Sequence, residues 1–308
     1  LLLFLTILIS LIGAAGLYSA AGGSYDPWAS RHLIRLLVFL SIAITIAFID
    51  IKLIYKYSYL IFFLSLILLI SVEVIGVFGK GATRWINLFG FSIQPSEFIK
   101  IAIIISLARF YHDLKFENIK KITNLFFPFL ILFLPFIFIV IQPDLGTALS
   151  IIILGSFILF AAGVRIWKFI LGSLTIIISI PLLLNMLKPY QKERVISFLN
   201  PESDILGGGY QLMQSKIALG SGGLSGKGFL EGTQSYLQFL PEKQTDFIFT
   251  LIGEEFGFLG TIFIIFLFIL LIAVCYFISI KCFHTYGRIL ALGVASNIFI
   301  YVFLNIAM

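Results

Sequence analysis

The sequence predicts an all-α polytopic membrane protein, and three observations carry that prediction. The 308 residues are 60% hydrophobic and 12% charged, at a mean hydropathy of +1.10, more apolar surface than a water-soluble core can absorb. Several apolar runs reach the roughly 18 to 20 residues that cross a hydrocarbon layer of about 30 Å. No run shows the short alternating pattern of a membrane β-barrel.

Nine apolar helical runs are expected, at about 1–20, 32–49, 57–78, 96–110, 122–141, 145–164, 166–187, 246–280 and 288–308. One long loop, 188–245, separates the seventh from the eighth. No Ser/Gly linker or low-complexity tract divides the chain, so 1–308 reads as a single membrane domain. The first run opens at Leu1 without an initiator Met or a basic flank, so the natural start is expected upstream.

The net charge of +6 is distributed as topology rather than as a nucleic-acid surface. The even-numbered connections carry Lys52, Lys56, Arg109, Lys115, Lys120, Lys121, Arg165, Lys168, Lys281 and Arg288. The first, third and fifth carry only Arg31, Arg35, Lys80 and Arg84. Positive residues stay inside, so the even connections and the N-terminus are cytoplasmic and loop 188–245 is extracytoplasmic. Cys275 and Cys282 sit at the end of one helix as packing residues, and His32, His112 and His284 are too scattered to draw a metal cluster.

The long polar stretch 200–260 holds the functional candidates. Gly207-Gly208-Gly209 and Gly220-Ser221-Gly222-Gly223 call for tight turns, and Tyr210–Leu219 between them suits a short amphipathic helix. Asp246 then opens the eighth helix. At 100° per residue it shares a face with Thr250, Gly253, Gly257 and Gly260, so its carboxylate is expected to point into the bundle. Ordinary helix-start chemistry, with Thr245 or Asp246 as the cap, explains the same residue types. Glu254 falls about 80° from Asp246 and Glu255 about 180°, so the three acids form no cluster, and Glu254 is the expected partner of Asp246. The eighth run, at roughly 35 residues and 50 Å, must tilt or project outward.

Gln94-Pro95-Ser96-Glu97 and Gln142-Pro143-Asp144 repeat one pattern on the outer side, with Glu97 and Lys100 one turn apart. Pro and an acid in a first turn are ordinary start signals. A charge pair facing lipid is costly, however, so Glu97 and Lys100 are expected to face the interior. Lys80, Arg84, Lys188, Lys192, Arg194, Lys216, Lys227 and Lys243 form a basic rim suited to anionic lipid head groups or to a diphosphate. Gly226-Lys227-Gly228 lacks the spacing of a nucleotide P-loop.

These stretches carry a family resemblance. Tyr18-Ser19-Ala20, GATRWINLFGFSIQPSEFIK at 81–100, QPDLGTA at 142–148, GGGYQLMQSKIALGSGGLSGKGF at 207–229, LPEKQTDFIF at 240–249 and GEEFGFLG at 253–260 resemble the SEDS (shape, elongation, division, sporulation) glycosyltransferases. They are nearer the RodA, or elongation, branch than the division branch of FtsW. The resemblance implies a ten-span helical bundle of which this chain holds nine, the last span and part of the cavity wall falling beyond Met308. It implies polymerisation of lipid II into glycan strands in the bacterial inner membrane, for elongation and rod shape. It also implies a class B penicillin-binding transpeptidase and the elongation machinery as partners.

By the same resemblance Asp246 is the catalytic aspartate, and Arg84, Glu97, Lys100 and Asp144 belong to the substrate cavity. In the reaction so implied, Asp246 takes a proton from the acceptor GlcNAc 4-hydroxyl, and C1 of the donor MurNAc inverts. Arg84, Lys100, Lys216 and Lys227 are candidates for the diphosphate, with Glu254 beside them. A divalent cation, Mg or Mn, could assist, but no ligand set for one is legible. A lipid II transporter would use interior charges equally well; against it, the charges gather on the outer side with little polar material at mid-membrane.

Overall fold

The structure, a computed structural model, describes residues 1–79, 82–88, 91–186, 208–236 and 242–307. The rim residues Lys80, Lys188, Lys192 and Arg194 and much of loop 188–245 lie outside these. The elements are α1 (Leu2–Ala20), α2 (Ala29–Ala47), α3 (Ile51–Ile75), β1 (Val77–Gly79), β2 (Ala82–Leu88), β3 (Phe91–Ile93), α4 (Pro95–Asp113), α5 (Phe116–Ile119) and a 3₁₀ turn (Thr123–Leu125). They continue with α6 (Phe126–Ile141), α7 (Leu145–Ala161), α8 (Ile166–Met186), α9 (Gly208–Ser221), α10 (Thr233–Tyr236), α11 (Ile248–Lys281) and α12 (Thr285–Ala307). Each expected run contains a helix. Among the described residues six helices, α1, α2, α3, α6, α11 and α12, are long and apolar enough to cross a membrane by length and composition. In α6 the crossing segment includes the preceding 3₁₀ turn.

The contacts divide the chain into two compact units. Unit 2 comprises Ala47–Leu171 and Ile272–Tyr301. Its centre is α4, whose Ile99, Ala102, Ile103, Ile104, Leu107 and Ala108 are all buried, so this helix is covered on most of its sides, as a bundle's central member must be. Small residues let its neighbours close in. A side chain at Gly293 of α12 would meet Ile104, and one at Gly155 of α7 would meet Leu132 of α6. Helix α3 starts from Asp50, whose carboxylate accepts the Lys52 N–H at 2.9 Å.

The sequence reading missed a three-stranded antiparallel sheet ahead of α4, ordered β1-β2-β3, with Val77 opposite Trp85 and Asn87 opposite Ser92. The signal was present in β-branched and aromatic residues punctuated by Gly79, Gly81 and Gly90. A reading tuned to long apolar runs passes over strands of three and seven residues.

Unit 1 comprises Leu1–Ile46, Gly172–Leu271 and Val302–Met308. The amphipathic segment expected at Tyr210–Leu219 lies within α9. Helix α11 corrects the expectation for the eighth run. Gly257 adopts φ 65°, ψ −161° and breaks the helix. The part after the break, 258–281, is about 24 residues or 36 Å, one membrane crossing. The break divides the long run into a short segment, 248–256, and one of membrane length.

Candidate functional site

Asp246 lies in unit 1, in a turn ahead of α11 rather than in its first turn. The N–H groups of Thr245, Asp246 and Phe247 all donate to the Glu242 carbonyl, at 3.1, 3.1 and 3.3 Å. The helix starts at Ile248, so neither Thr245 nor Asp246 caps it, and the hydroxyl of Thr245 donates back to Glu242. The side chain of Asp246 is exposed. The helical-wheel expectation that it points inward therefore fails at its premise, because Asp246 is not helical and the wheel is broken again at Gly257. Among the described residues, nothing hydrogen-bonds to or pairs with its carboxylate. Asn305 of α12 holds the turn from behind, its amide 3.4 Å from the carbonyls of Thr245 and Asp246.

The helical segment 248–256 that carries this turn is clamped on two sides. Gly16 of α1 lets Ile248 and Ile252 approach closely, and Ala20, Leu251, Ile252 and Ile264 form a buried cluster there. From α9, the hydroxyls of Ser215 and Thr250 hydrogen-bond at 2.8 Å, and Ala218 packs on Phe247. The hydroxyl of Ser19, at the end of α1, donates to Glu255.

At Gly257 the Gly-rich loop completes the broken helix. The N–H groups of Lys227 and Gly228 donate to the carbonyls of Glu254 and Glu255, at 3.0 and 3.1 Å. The N–H groups of Phe258 and Leu259 donate to the carbonyls of Gly223 and Leu224, at 2.9 and 3.2 Å. Backbone groups freed by a break inside an apolar helix must find partners in the protein, and this loop supplies them. The approach is close enough that a side chain at Gly222 would overlap the Gly253 carbonyl and one at Gly226 the Glu255 carbonyl.

Glu254 and Glu255 are buried, 0% and 1% exposed, whereas Asp246 is exposed. Among the described residues, Glu254 does not pair with Asp246. Its Oε1 accepts from Lys227 Nζ at 2.8 Å, the Gln234 N–H at 2.9 Å and the Thr233 hydroxyl at 3.2 Å. Lys227, read from sequence as part of a basic rim and a diphosphate candidate, is already matched by a carboxylate. Lys216 of α9 is exposed. Lys243 is half-buried in the Asp246 turn, where burial pulls its ammonium below the ordinary lysine range and attraction to Glu255 partly opposes that.

In unit 2 the two Gln-Pro segments meet. The amide of Gln94 lies 3.4 Å from Asp144 Oδ2. Arg84 reaches from β2 to the carbonyl of Gln142 at 3.3 Å, to that of Pro143, and to Asp144 Oδ1 at 3.9 Å. Asp144 also caps α7, accepting the Thr147 N–H at 3.3 Å and its hydroxyl at 2.9 Å. One turn into α4, Lys100, only 3% exposed, is 2.8 Å from the half-exposed Glu97.

Tyr301 completes this group. Its hydroxyl bridges Lys100 and Glu97, and its ring lies 4.1 Å from the ammonium. The sequence reading did not single out Tyr301, since a tyrosine late in an apolar helix carries no local signal. Among the described residues no group of three or more His, Cys, Asp or Glu could hold a metal, and Cys275 and Cys282 are free thiols.

The cell cycle protein model FTSW_RODA_SPOVE matches residues 1–308. The chain belongs to the FtsW/RodA/SpoVE family. This member is 38% identical to the peptidoglycan glycosyltransferase MrdB of Escherichia coli K12, over 99% of this chain and 82% of the relative. It is 37% identical to stage V sporulation protein E of Bacillus subtilis, over 99% and 86%. Among solved structures, a chain of a peptidoglycan synthase complex coordinating polymerization and crosslinking matches at TM-score 0.84 and 27% identity, over 99% of this chain and 85% of that one. The rod shape determining protein RodA of Thermus thermophilus matches in fold, at TM-score 0.71 and 23% identity, over 99% and 83%.

Proposed function

We propose that this family member is a peptidoglycan glycosyltransferase that polymerises lipid II into glycan strands for cell elongation. The observation that carries the proposal is its 38% identity to a peptidoglycan glycosyltransferase, sustained across 99% of the chain. Asp246 supports it locally. An exposed carboxylate that no described residue engages is free to accept a proton, as a general base must be.

In this reading Asp246 takes the proton from the acceptor GlcNAc 4-hydroxyl as O4 bonds to C1 of the donor MurNAc. The C1–oxygen bond to the diphosphate breaks on the opposite face, so the configuration inverts and the lipid diphosphate carries the charge away. A diphosphate is already a good leaving group, so the protein's task is one base and positive charge rather than an acid and base pair. Lys216, exposed in the unit that holds Asp246, is the proposed diphosphate ligand; within unit 2, Arg84 with Asp144 and Lys100 with Glu97 are separately proposed as substrate contacts.

The chain is proposed to be multi-pass in the bacterial inner membrane, with nine spans, a cytoplasmic N-terminus and Asp246 facing outward. A class B penicillin-binding transpeptidase and the elongation machinery are the proposed partners. Purified protein given lipid II is expected to make glycan polymer, and Asp246→Ala to make none. Polymer from Asp246→Ala at the parent rate refutes the assignment. Translocation of lipid II without polymer would favour a transporter instead.

A further inference from the structure

The Lys227–Glu254 contact is a built polar site to which the chemistry above gives no step. A fully buried carboxylate is costly unless paired and hydrogen-bonded, and Glu254 has three donors on one oxygen, from the loop at Lys227 and from α10 at Thr233 and Gln234. Lys227 also donates to Thr233 at 2.7 Å. The pair therefore ties the Gly-rich loop and α10 to the end of segment 248–256, beside the four backbone hydrogen bonds that span the break at Gly257. Segment 248–256 begins two residues after Asp246, and α10 opens the stretch that leads into the Asp246 turn.

We infer that Lys227 and Glu254 are a latch that positions Asp246, and that neither is a ligand for the diphosphate. α1 and α9 clamp segment 248–256 along its sides, and the latch closes its broken end, so the turn ahead of it is presented in one place. A diphosphate that captured Lys227 would strip a buried carboxylate of its cation, which is strongly unfavourable. The inference rests on the polymerase reading for its kinetic consequence only; the latch itself can be observed without turnover.

The test compares the parent, Glu254→Gln, Lys227→Met, Lys227→Arg and the Glu254→Gln/Lys227→Met double variant, all purified and given lipid II. Each removal is expected to lower kcat about 10- to 100-fold through misplacement of the base, with KM within about two-fold of the parent. The double variant is expected to be no slower than the slower single one, since both changes break one contact. Lys227→Arg, which keeps the cation, is expected to recover most of the rate. Hydrogen exchange at the Lys227 and Gly228 amides is expected to accelerate in the removal variants and not in Lys227→Arg.

A raised KM at unchanged kcat in Lys227→Met, losses that multiply in the double variant, or parent-like kcat and exchange would each overturn the latch. If Glu254→Gln does not fold, the two Lys227 variants still decide between latch and ligand. A parent protein that makes no polymer removes the polymerase reading, while amide exchange still reports on the latch.

Discussion

Replacing Gly257 with alanine isolates the break in α11 from everything around it. With φ at 65° and ψ at −161°, the residue occupies backbone space that is essentially glycine's alone, where a side chain costs about 1–3 kcal/mol. The added Cβ would overlap the Gly226 nitrogen and lie 2.7 Å from the carbonyl carbon and oxygen of Leu224. These are main-chain atoms that cannot swing aside, and forcing them apart adds about 1–3 kcal/mol. The variant is therefore expected to lose roughly 2–6 kcal/mol, several degrees of melting temperature in detergent, and to lose polymerisation with it.

Gly172→Ala is the matched control. It sits within α8 with nothing inside 4 Å of the added atom, so stability is expected to hold or to rise by about 0.5–1 kcal/mol. A Gly257→Ala protein that melts with the parent would refute the account of the break given above.

Asp144→Ala is expected to cost about 1 kcal/mol through loss of the α7 cap and to leave Arg84 with carbonyls alone. Asp144→Asn keeps an acceptor for Thr147 and should restore most of the melting temperature, though not the charge beside Arg84. Lys243 gives a pH signature. Burial holds its folded-state pKa below the unfolded value, so the folded protein binds that proton less tightly and stability rises as pH climbs from the folded pKa toward the unfolded one. Lys243→Met should flatten that alkaline rise in a series of thermal melts, and an identical slope in both proteins would contradict the burial argument.

The helices were legible because membrane spans announce themselves through length and hydropathy, independently of their partners. Lys100 and Glu97 were legible for a related reason, since a charge within an apolar helix has few places to go. Asp246 was singled out as a residue and misplaced as a structure. The apolar run begins beside it, but hydropathy cannot distinguish the last residues of a turn from the first of a helix, and the wheel assumed a regularity that Gly257 interrupts. Lys227 was read as a rim cation for a diphosphate because its carboxylate lies 27 positions away along the chain. Tyr301 was invisible because its two partners lie some 200 positions earlier.

The loop 222–228 and the helix 248–281 make sense only together. Breaking an apolar helix frees carbonyls before the break and N–H groups after it, and in lipid each unsatisfied group costs several kcal/mol. Glu254, Glu255, Phe258 and Leu259 are the residues whose main chain is completed by Gly223, Leu224, Lys227 and Gly228, and the glycines at 222 and 226 are what let the two backbones approach so closely. Remove the loop and the helix has every reason to straighten through 257; straighten the helix and the loop loses its partners. A glycine-rich stretch that reads in isolation as a flexible connector is therefore the other half of the helix that presents Asp246, which is why substitutions at Gly226 should be as damaging as those at Gly257 even though neither residue can touch a substrate through a side chain.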